Sequence, residues 1–270
     1  MSTAMTATTR TRPLSDSATM VRRQFLHMLR YPSLTLMLAG MPIVMLLLFV
    51  YVFGGTLGNG LGGAGGGREA YINYVVPGIL LMTVASAAQG TAIAVAMDMT
   101  EGIIARFRTM NIARVSVLTG HVIGSLGQTL VSIVIVIGVA LLIGFRPDAG
   151  PMAWLGVAGM LALFTFALIW LSTALGLVAK SVETASNTPM PLMLLPFFGS
   201  GFVPTDSMPT ALRWFADYQP FTPITETLRG LLFGTPIGND AAIAVAWCAV
   251  IALAGYLWAK QLFNRDPSAT

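Results

Sequence analysis

Long apolar runs separated by short polar segments set the pattern of this chain. A helix that crosses the hydrocarbon core of a bilayer needs about 20 mostly apolar residues. Six runs meet that requirement, at 34–53, 75–97, 117–145, 152–179, 184–203 and 241–260. The pattern predicts an all-α, polytopic membrane protein with six transmembrane helices. Pro189, Pro191 and Pro196 interrupt the fifth run, so we expect a kinked or broken helix there.

Composition agrees with this pattern. Of the 270 residues, 55% are hydrophobic and 10% are charged, whereas a soluble domain carries roughly 25% charged residues. The 33 residues before the first run and the run's length of about 20 exceed what a cleavable signal peptide needs. We therefore expect a retained anchor. Cys248 is the only cysteine, which excludes an intrachain disulfide, and we interpret it as a small apolar residue of the last span.

Positive charge is distributed unevenly along the chain. With the amino terminus in the cytoplasm, 11 of the 15 lysines and arginines fall in cytoplasmic segments, as the positive-inside rule requires. An even number of spans then returns the carboxyl terminus to the cytoplasm. Because topology accounts for the basic residues, no nucleic-acid partner is needed to explain them.

The segment before the first span divides into two parts. Residues 1–14 are rich in serine and threonine and lack a hydrophobic pattern, which predicts a disordered tail. Residues 15–31 place apolar residues at helical spacing with arginines between them, a pattern typical of a helix in the membrane interface. A simple extension of the first span is the alternative, although Tyr31 precedes Pro32 and such a position disfavours helix.

A short charged segment, EGIIARFRTMNI at 101–112, separates the second and third runs. Asp98 and Glu101 have the spacing of a capping box, with aspartate in the place of serine or threonine. One helical face then carries the apolar residues Ile103, Ile104, Phe107 and Met110. This pattern predicts a short amphipathic helix on the cytoplasmic side, and a solvated turn is the alternative.

The segment 202–234 is too polar to cross a membrane and too apolar to be a plain loop. Thr222 with Pro223 resembles the start of a helix, and Gly234 resembles its end. About 11 residues at about 1.5 Å each cover only about half of the hydrocarbon core. We therefore expect a helix that enters the membrane from outside or rests on its surface. The aromatic belt at that interface suits Trp214, Phe215 and Tyr218.

Glu226 and Arg229 lie three positions apart on this predicted helix, where opposite charges can pair. The plainer interpretation is a local ion pair that lets the helix enter partly apolar surroundings. The functional interpretation makes the two residues part of an outer gate.

Catalytic, metal-binding and ion-transport motifs are missing from the sequence. His27 and His121 are far apart and lack a ligand cluster, so we expect no metal site. The glycine-rich stretch at 54–69 lacks the lysine of a P-loop. We therefore expect this stretch to be a flexible connector. The span interiors carry almost no ionisable residue, whereas ion-driven pumps retain such groups. We therefore expect a chain that is not itself an enzyme and that takes its energy from another polypeptide.

Two stretches resemble the permease subunit of type-2 ABC exporters, and most closely the branch associated with daunorubicin-type drug resistance. They are EGIIARFRTMNIARVSVLTGHVIGS at 101–125 and SGFVPTDSMPTALRWFADYQPFTPITETLRGLLFG at 200–234. The resemblance covers nearly the whole chain after the tail and implies a single transmembrane domain over 15–270. It also implies an elbow helix at 15–31, a coupling helix at 99–110, and extracellular re-entrant helices at 204–234 between spans five and six.

The resemblance implies partners as well. Two copies of a separate nucleotide-binding subunit would bind ATP and Mg, while this chain holds no cofactor, and a second permease copy would complete the path through the lipid. Contact with the ATPase is expected at Glu101, Ile103, Arg106, Phe107 and Arg108. Facing second and fifth spans would line the path, with cargo contacts expected at Met82, Ser86, Gln89, Asn187, Met193 and Phe197.

The implied function is ATP-driven export across a bacterial cell membrane. The expected cargo is hydrophobic or amphipathic, such as an antibiotic or a lipid-like natural product, taken from the cytoplasm or the inner leaflet. A methionine-containing apolar cavity would tolerate varied shapes. Two alternatives remain: a permease for a polysaccharide or teichoic-acid cargo, and a membrane scaffold that moves no substrate.

Overall fold

A computed structural model describes residues 32–60, 67–100 and 114–264 of the chain. Within these ranges every regular element is a helix, which confirms the all-α part of the predicted fold class. The predicted tail at 1–14, the elbow helix at 15–31 and residues 101–110 of the coupling helix lie outside the described residues.

Five helical stretches of the described chain are long and apolar enough to cross a membrane. The first begins as α1 (Pro32–Leu48), passes through a π-helical turn (Phe49–Phe53) and ends as α2 (Gly54–Gly60). Three more follow as single helices, namely α3 (Arg68–Thr100), α4 (Arg114–Leu142) and α5 (Pro151–Val178). The fifth is the last helix that the structure describes.

The glycine-rich stretch after the first span differs from the flexible connector expected from its composition. Its first part, α2, is helical. Extending an existing helix avoids the cost of nucleation, which allows even glycines to continue it. A Cβ atom added at Gly58 would overlap the backbone of Gly67. The glycine at 58 thus permits the tight return of the chain toward α3.

The fifth predicted run is broken, as its prolines indicated. It forms α6 (Val182–Asn187), α7 (Met190–Leu194) and a 3-10 turn (Leu195–Phe198). Pro189 stands immediately before α7 and Pro196 lies within the 3-10 turn. Because proline has no N–H to donate, a continuous α-helix is interrupted at such positions. The crossing of the membrane by this broken segment stays a prediction.

Two shorter helices follow, α8 (Thr210–Tyr218) and α9 (Phe221–Phe233), before the last long helix, α10 (Asp240–Asn264). Gly234 ends α9 in the left-handed conformation with φ of 69°, as predicted. The start of α9 differs from the expectation, because the helix begins at Phe221 and Thr222 does not cap it. The Thr222 hydroxyl instead accepts a hydrogen bond from the Ser200 backbone N–H at 3.4 Å.

The centre of the described chain is α3. In the most apolar stretch of α3, 72% of the residues are buried. In the most apolar stretch of α10, 17% of the residues are buried. Helix α3 packs against α1, α4 and α5, and α10 packs along α5. Buried hydroxyls inside these helices donate to the carbonyl four residues earlier, as at Thr83, Thr91, Thr165 and Thr173. The helices are therefore held by apolar contact, with their polar groups satisfied locally.

Candidate functional site

Arg229 on α9 joins three parts of the chain. Its Nη1 donates to Glu226 Oε1 at 2.5 Å, which confirms the predicted pairing. Its Nη2 donates to the backbone carbonyls of Ser200 at 3.0 Å and Tyr74 at 3.3 Å. The guanidinium also lies 4.0 Å from the centre of the Tyr74 ring. These four residues, which we call the Arg229 cluster, connect α3, α9 and the segment after the 3-10 turn.

The Arg229 cluster is partly withdrawn from solvent. The side chain of Arg229 is 14% exposed and that of Glu226 is 34% exposed. Charged groups at this depth are weakly screened, so the ion pair and the cation–π contact are stronger than at a free surface. Two hydrogen bonds of Arg229 also leave its own helix. Arg229 therefore makes tertiary hydrogen bonds in addition to the local ion pair with Glu226.

A second polar group adjoins the Arg229 cluster. Gln219 Nε2 donates to the Leu195 carbonyl at 3.2 Å and to the Thr222 hydroxyl at 3.4 Å. Thr222 also accepts from the Ser200 N–H, so the two groups meet at Ser200. A Cβ atom at Gly199 would lie 2.4 Å from Gln219 Nε2, which explains why a glycine stands there. Together these contacts fasten the broken helix to the start of α9.

Sequence reasoning missed Tyr74, Ser200 and Gln219. Their partners are distant along the chain, and Arg229 follows Tyr74 by 155 positions. The one available signal was Gln219 itself, an amide directly before Pro220 and next to the start of the predicted helix.

An aromatic group lies beside this polar region. The Phe197 ring stacks on Phe202 with centroids 4.5 Å apart, and Phe49 lies 4.8 Å from Phe202. The Tyr71 hydroxyl donates to the Phe202 carbonyl at 3.3 Å. Phe49 begins the π-helical turn after α1. Phe197, a predicted cargo contact, is thus packed where α1, α3 and the broken helix meet.

The other predicted cargo contacts lie along α3 and the broken helix. Gln89 Nε2 donates to the Ser186 carbonyl at 2.7 Å, which holds α3 against α6 beside the exposed Asn187. The Ser86 hydroxyl donates to the Met82 carbonyl at 2.9 Å. Met82 is 3% exposed and therefore enclosed within the chain. Met193 is half-buried on α7, one turn before Phe197.

Glu183 stands at the start of α6, where Ser181 accepts the Thr184 backbone N–H at 3.2 Å. Glu183 lies in the first turn of α6. An acidic side chain near the positive end of the helix dipole is the favourable arrangement.

The predicted coupling residues Glu101, Ile103, Arg106, Phe107 and Arg108 lie outside the described residues. They follow directly after Thr100, the last residue of α3. Tyr74, near the other end of α3, belongs to the Arg229 cluster. The 33 residues of α3 give a length of about 50 Å. The mostly buried helix α3 thus runs from the Arg229 cluster to the residue just before the charged segment at 101–112.

In the part of the chain that the structure describes, no group of three or more histidine, cysteine, aspartate or glutamate residues could hold a metal ion.

Comparison with known proteins places these features in a family. The family description "ABC-2 type transporter" matches residues 17–233. The chain is 28% identical to the daunorubicin resistance ABC transporter permease protein DrrB1 of Streptomyces coeruleorubidus, over 82% of this chain and 76% of that protein. It is 26% identical to the probable doxorubicin resistance ABC transporter permease protein DrrC of Mycobacterium tuberculosis, over 77% and 75% respectively. The chain belongs to the ABC-2 type transporter family and is a multi-pass membrane permease.

Proposed function

We propose that this chain is the membrane subunit of an ATP-driven exporter of hydrophobic or amphipathic small molecules, such as antibiotics or lipid-like natural products. One observation carries the proposal: the family match runs from 17 to 233 and so includes both the charged segment and the Arg229 cluster. Relatives named for resistance to daunorubicin and doxorubicin support the cargo class. Cargo would leave the cytoplasm or the inner leaflet.

The proposed assembly has two copies of this permease and two copies of a separate ATP-binding subunit, which would hold ATP and Mg. Exposed apolar surface supports the need for lipid and for a second copy, because only 28% of the first span's most apolar stretch and 28% of α4's are buried within the chain. The coupling contact would use Glu101, Ile103, Arg106, Phe107 and Arg108.

Force would pass along α3. Closure of the ATP-binding subunits displaces the charged segment, and α3 carries that movement toward Tyr74 and Arg229. A helix buried on most of its length moves as a rigid element, because packed interiors resist compression. The contact between Gln89 and the Ser186 carbonyl would carry the same movement into the broken helix.

Helices α8 and α9 would form the re-entrant pair on the extracellular side, with Glu226 and Arg229 in the outer gate. The 13 residues of α9 extend about 20 Å, less than the roughly 30 Å hydrocarbon core. Trp214 is 67% and Tyr218 is 66% exposed, as interfacial aromatic side chains would be. With the broken helix as the fifth of six spans, both termini lie in the cytoplasm of a bacterial cell.

The test is co-purification of this chain with an ATP-binding subunit encoded beside it, followed by ATPase assays in lipid bilayers. We expect a stable complex whose hydrolysis rate responds to daunorubicin. Stimulation by an undecaprenyl-linked glycan in place of daunorubicin would favour the polysaccharide alternative. Failure of two folded proteins to associate would favour the scaffold.

A further inference from the structure

Buried polar atoms that lack a protein partner are concentrated beside the Arg229 cluster. Within the described chain, five such side-chain atoms occur, and three of them are Ser200 Oγ, Gln219 Oε1 and Arg229 Nε. The other two, Thr35 Oγ1 and Ser172 Oγ, belong to different helices. A buried polar group without a hydrogen-bond partner destabilises the folded protein, so three such atoms in one region indicate that another molecule supplies their partner.

The three residues are joined by the hydrogen bonds that surround them. Ser200 and Gln219 both donate to the Thr222 hydroxyl at 3.4 Å, one from the backbone and one from the amide. Arg229 Nη2 donates to the carbonyl of that same Ser200 at 3.0 Å. Ser200 is 4% exposed and Gln219 is 5% exposed. The unpartnered atoms therefore belong to one enclosed polar region.

The chemistry of the three atoms specifies what would satisfy them. Arg229 Nε–H can only donate, Gln219 Oε1 can only accept, and the Ser200 hydroxyl can do either. An O–H group that accepts from arginine and donates to glutamine meets these requirements. Buried water molecules typically make about three hydrogen bonds to such groups. We propose that Ser200, Gln219 and Arg229 bind an internal water molecule.

This water deepens the proposed outer gate and, in that respect, rests on the proposed function. It would bridge the start of α9 to the segment after the 3-10 turn, in addition to the direct bonds. Separation of the two segments would then expose the same groups to bulk water. These polar atoms would therefore keep a hydrogen-bond partner when the outer gate opens. The water site itself requires neither cargo nor ATP.

The first test is the thermal unfolding midpoint, Tm, of the assembled transporter in lipid. Ser200→Ala removes one partner of the water with little change in side-chain volume, and we expect Tm to fall by about 2–4 °C. Ser172→Ala is the matched control, because it removes an isolated unpartnered hydroxyl from a fully buried position. We expect that control to leave Tm unchanged or to raise it. A Ser200→Ala protein that behaves like the control overturns the proposal.

The second test is direct, by electron cryo-microscopy of the unmodified transporter in lipid, at a resolution that shows ordered water elsewhere. We expect density within hydrogen-bonding distance of Ser200 Oγ, Gln219 Oε1 and Arg229 Nε. The absence of such density contradicts the proposal.

A third test compares n-decanol with decane and distinguishes the source of the O–H group. A Tm that rises only with decanol, and only when Ser200 is present, would assign the site to a cargo hydroxyl and overturn water as its occupant. None of these measurements depends on transport.

Discussion

Arg229 shows how one side chain determines the arrangement of several segments. Arg229 follows Glu226 by three residues, so their ion pair lies within one helix and could be predicted from the sequence alone. The bonds to the Tyr74 and Ser200 carbonyls depend on the folded chain, because those residues are 155 and 29 positions away. A guanidinium can serve all of these partners at once because its donors form a fixed planar fork.

We expect Arg229→Met to destabilise the protein by about 2 kcal/mol, because Glu226 and two carbonyls lose their donor in a partly buried place. The measurement is Tm in lipid, together with ATP-independent leak of daunorubicin from vesicles, which should rise. Arg213→Met is the matched control, since the Arg213 side chain is 49% exposed and pairs with Asp206 and Asp217 at the surface. Such pairs contribute about 0–1 kcal/mol. Equal effects of the two variants would contradict a special role for Arg229.

At the scale of elements, most of the long helices followed from the apolar pattern, since length and hydropathy alone decide whether a helix can cross a bilayer. The break in the fifth run followed from its prolines. The helical continuation into α2 could not be predicted from glycine content, because it depends on the helix that precedes it and on the close return at Gly67. The start of α9 was misplaced because the Thr222 hydroxyl serves a tertiary contact.

Close packing between α5 and α10 depends on Gly255. A Cβ atom there would lie 2.5 Å from the backbone nitrogen of Leu171, which cannot move aside as a side chain can. We expect Gly255→Ala to lower stability by about 1–3 kcal/mol, as overpacking does. Gly138→Ala on α4 is the control, because nothing lies within 4 Å of its Cβ position. Alanine should stabilise that helix by up to about 1 kcal/mol.

The measurement is the Tm of each variant in lipid. A lower Tm for Gly255→Ala together with a higher Tm for Gly138→Ala would support the contact between α5 and α10. A Gly255→Ala protein as stable as the unmodified chain would show that α5 and α10 do not approach as closely as described.

The charged segment at 101–112 supplies the second prediction at this scale. We expect Phe107→Ala, or Glu101→Lys, to leave membrane insertion intact while ATP hydrolysis no longer drives export. An aromatic anchor and a charged rim let a protein contact transmit force. Their loss would therefore separate ATP hydrolysis from movement of the spans even while the two subunits stay associated. Insertion is measured by the amount of protein in the membrane fraction, and coupling by the ratio of cargo moved to ATP hydrolysed. Normal export by both variants would contradict the proposed contact between the charged segment and the ATP-binding subunit.

At the scale of the whole molecule, the described chain leaves much apolar helix surface exposed. Helix α10 and the first span present large apolar rows outward, among them Leu36, Val44, Val250 and Leu253, each more than half exposed. Lipid and a second permease copy would cover such surface. The sequence predicted the membrane class because that class depends on the average character of each span. It could not predict which helix faces are covered, because those depend on helix packing.

The most direct test of the central claim is transport by purified components. Vesicles would contain this chain and its ATP-binding subunit, and movement of daunorubicin across the bilayer would be followed with and without ATP. We predict ATP-dependent movement that the Phe107→Ala variant loses while its complex with the ATP-binding subunit remains. A stable complex that hydrolyses ATP and moves neither daunorubicin nor a fluorescent lipid analogue would contradict the assignment as an exporter of amphipathic molecules.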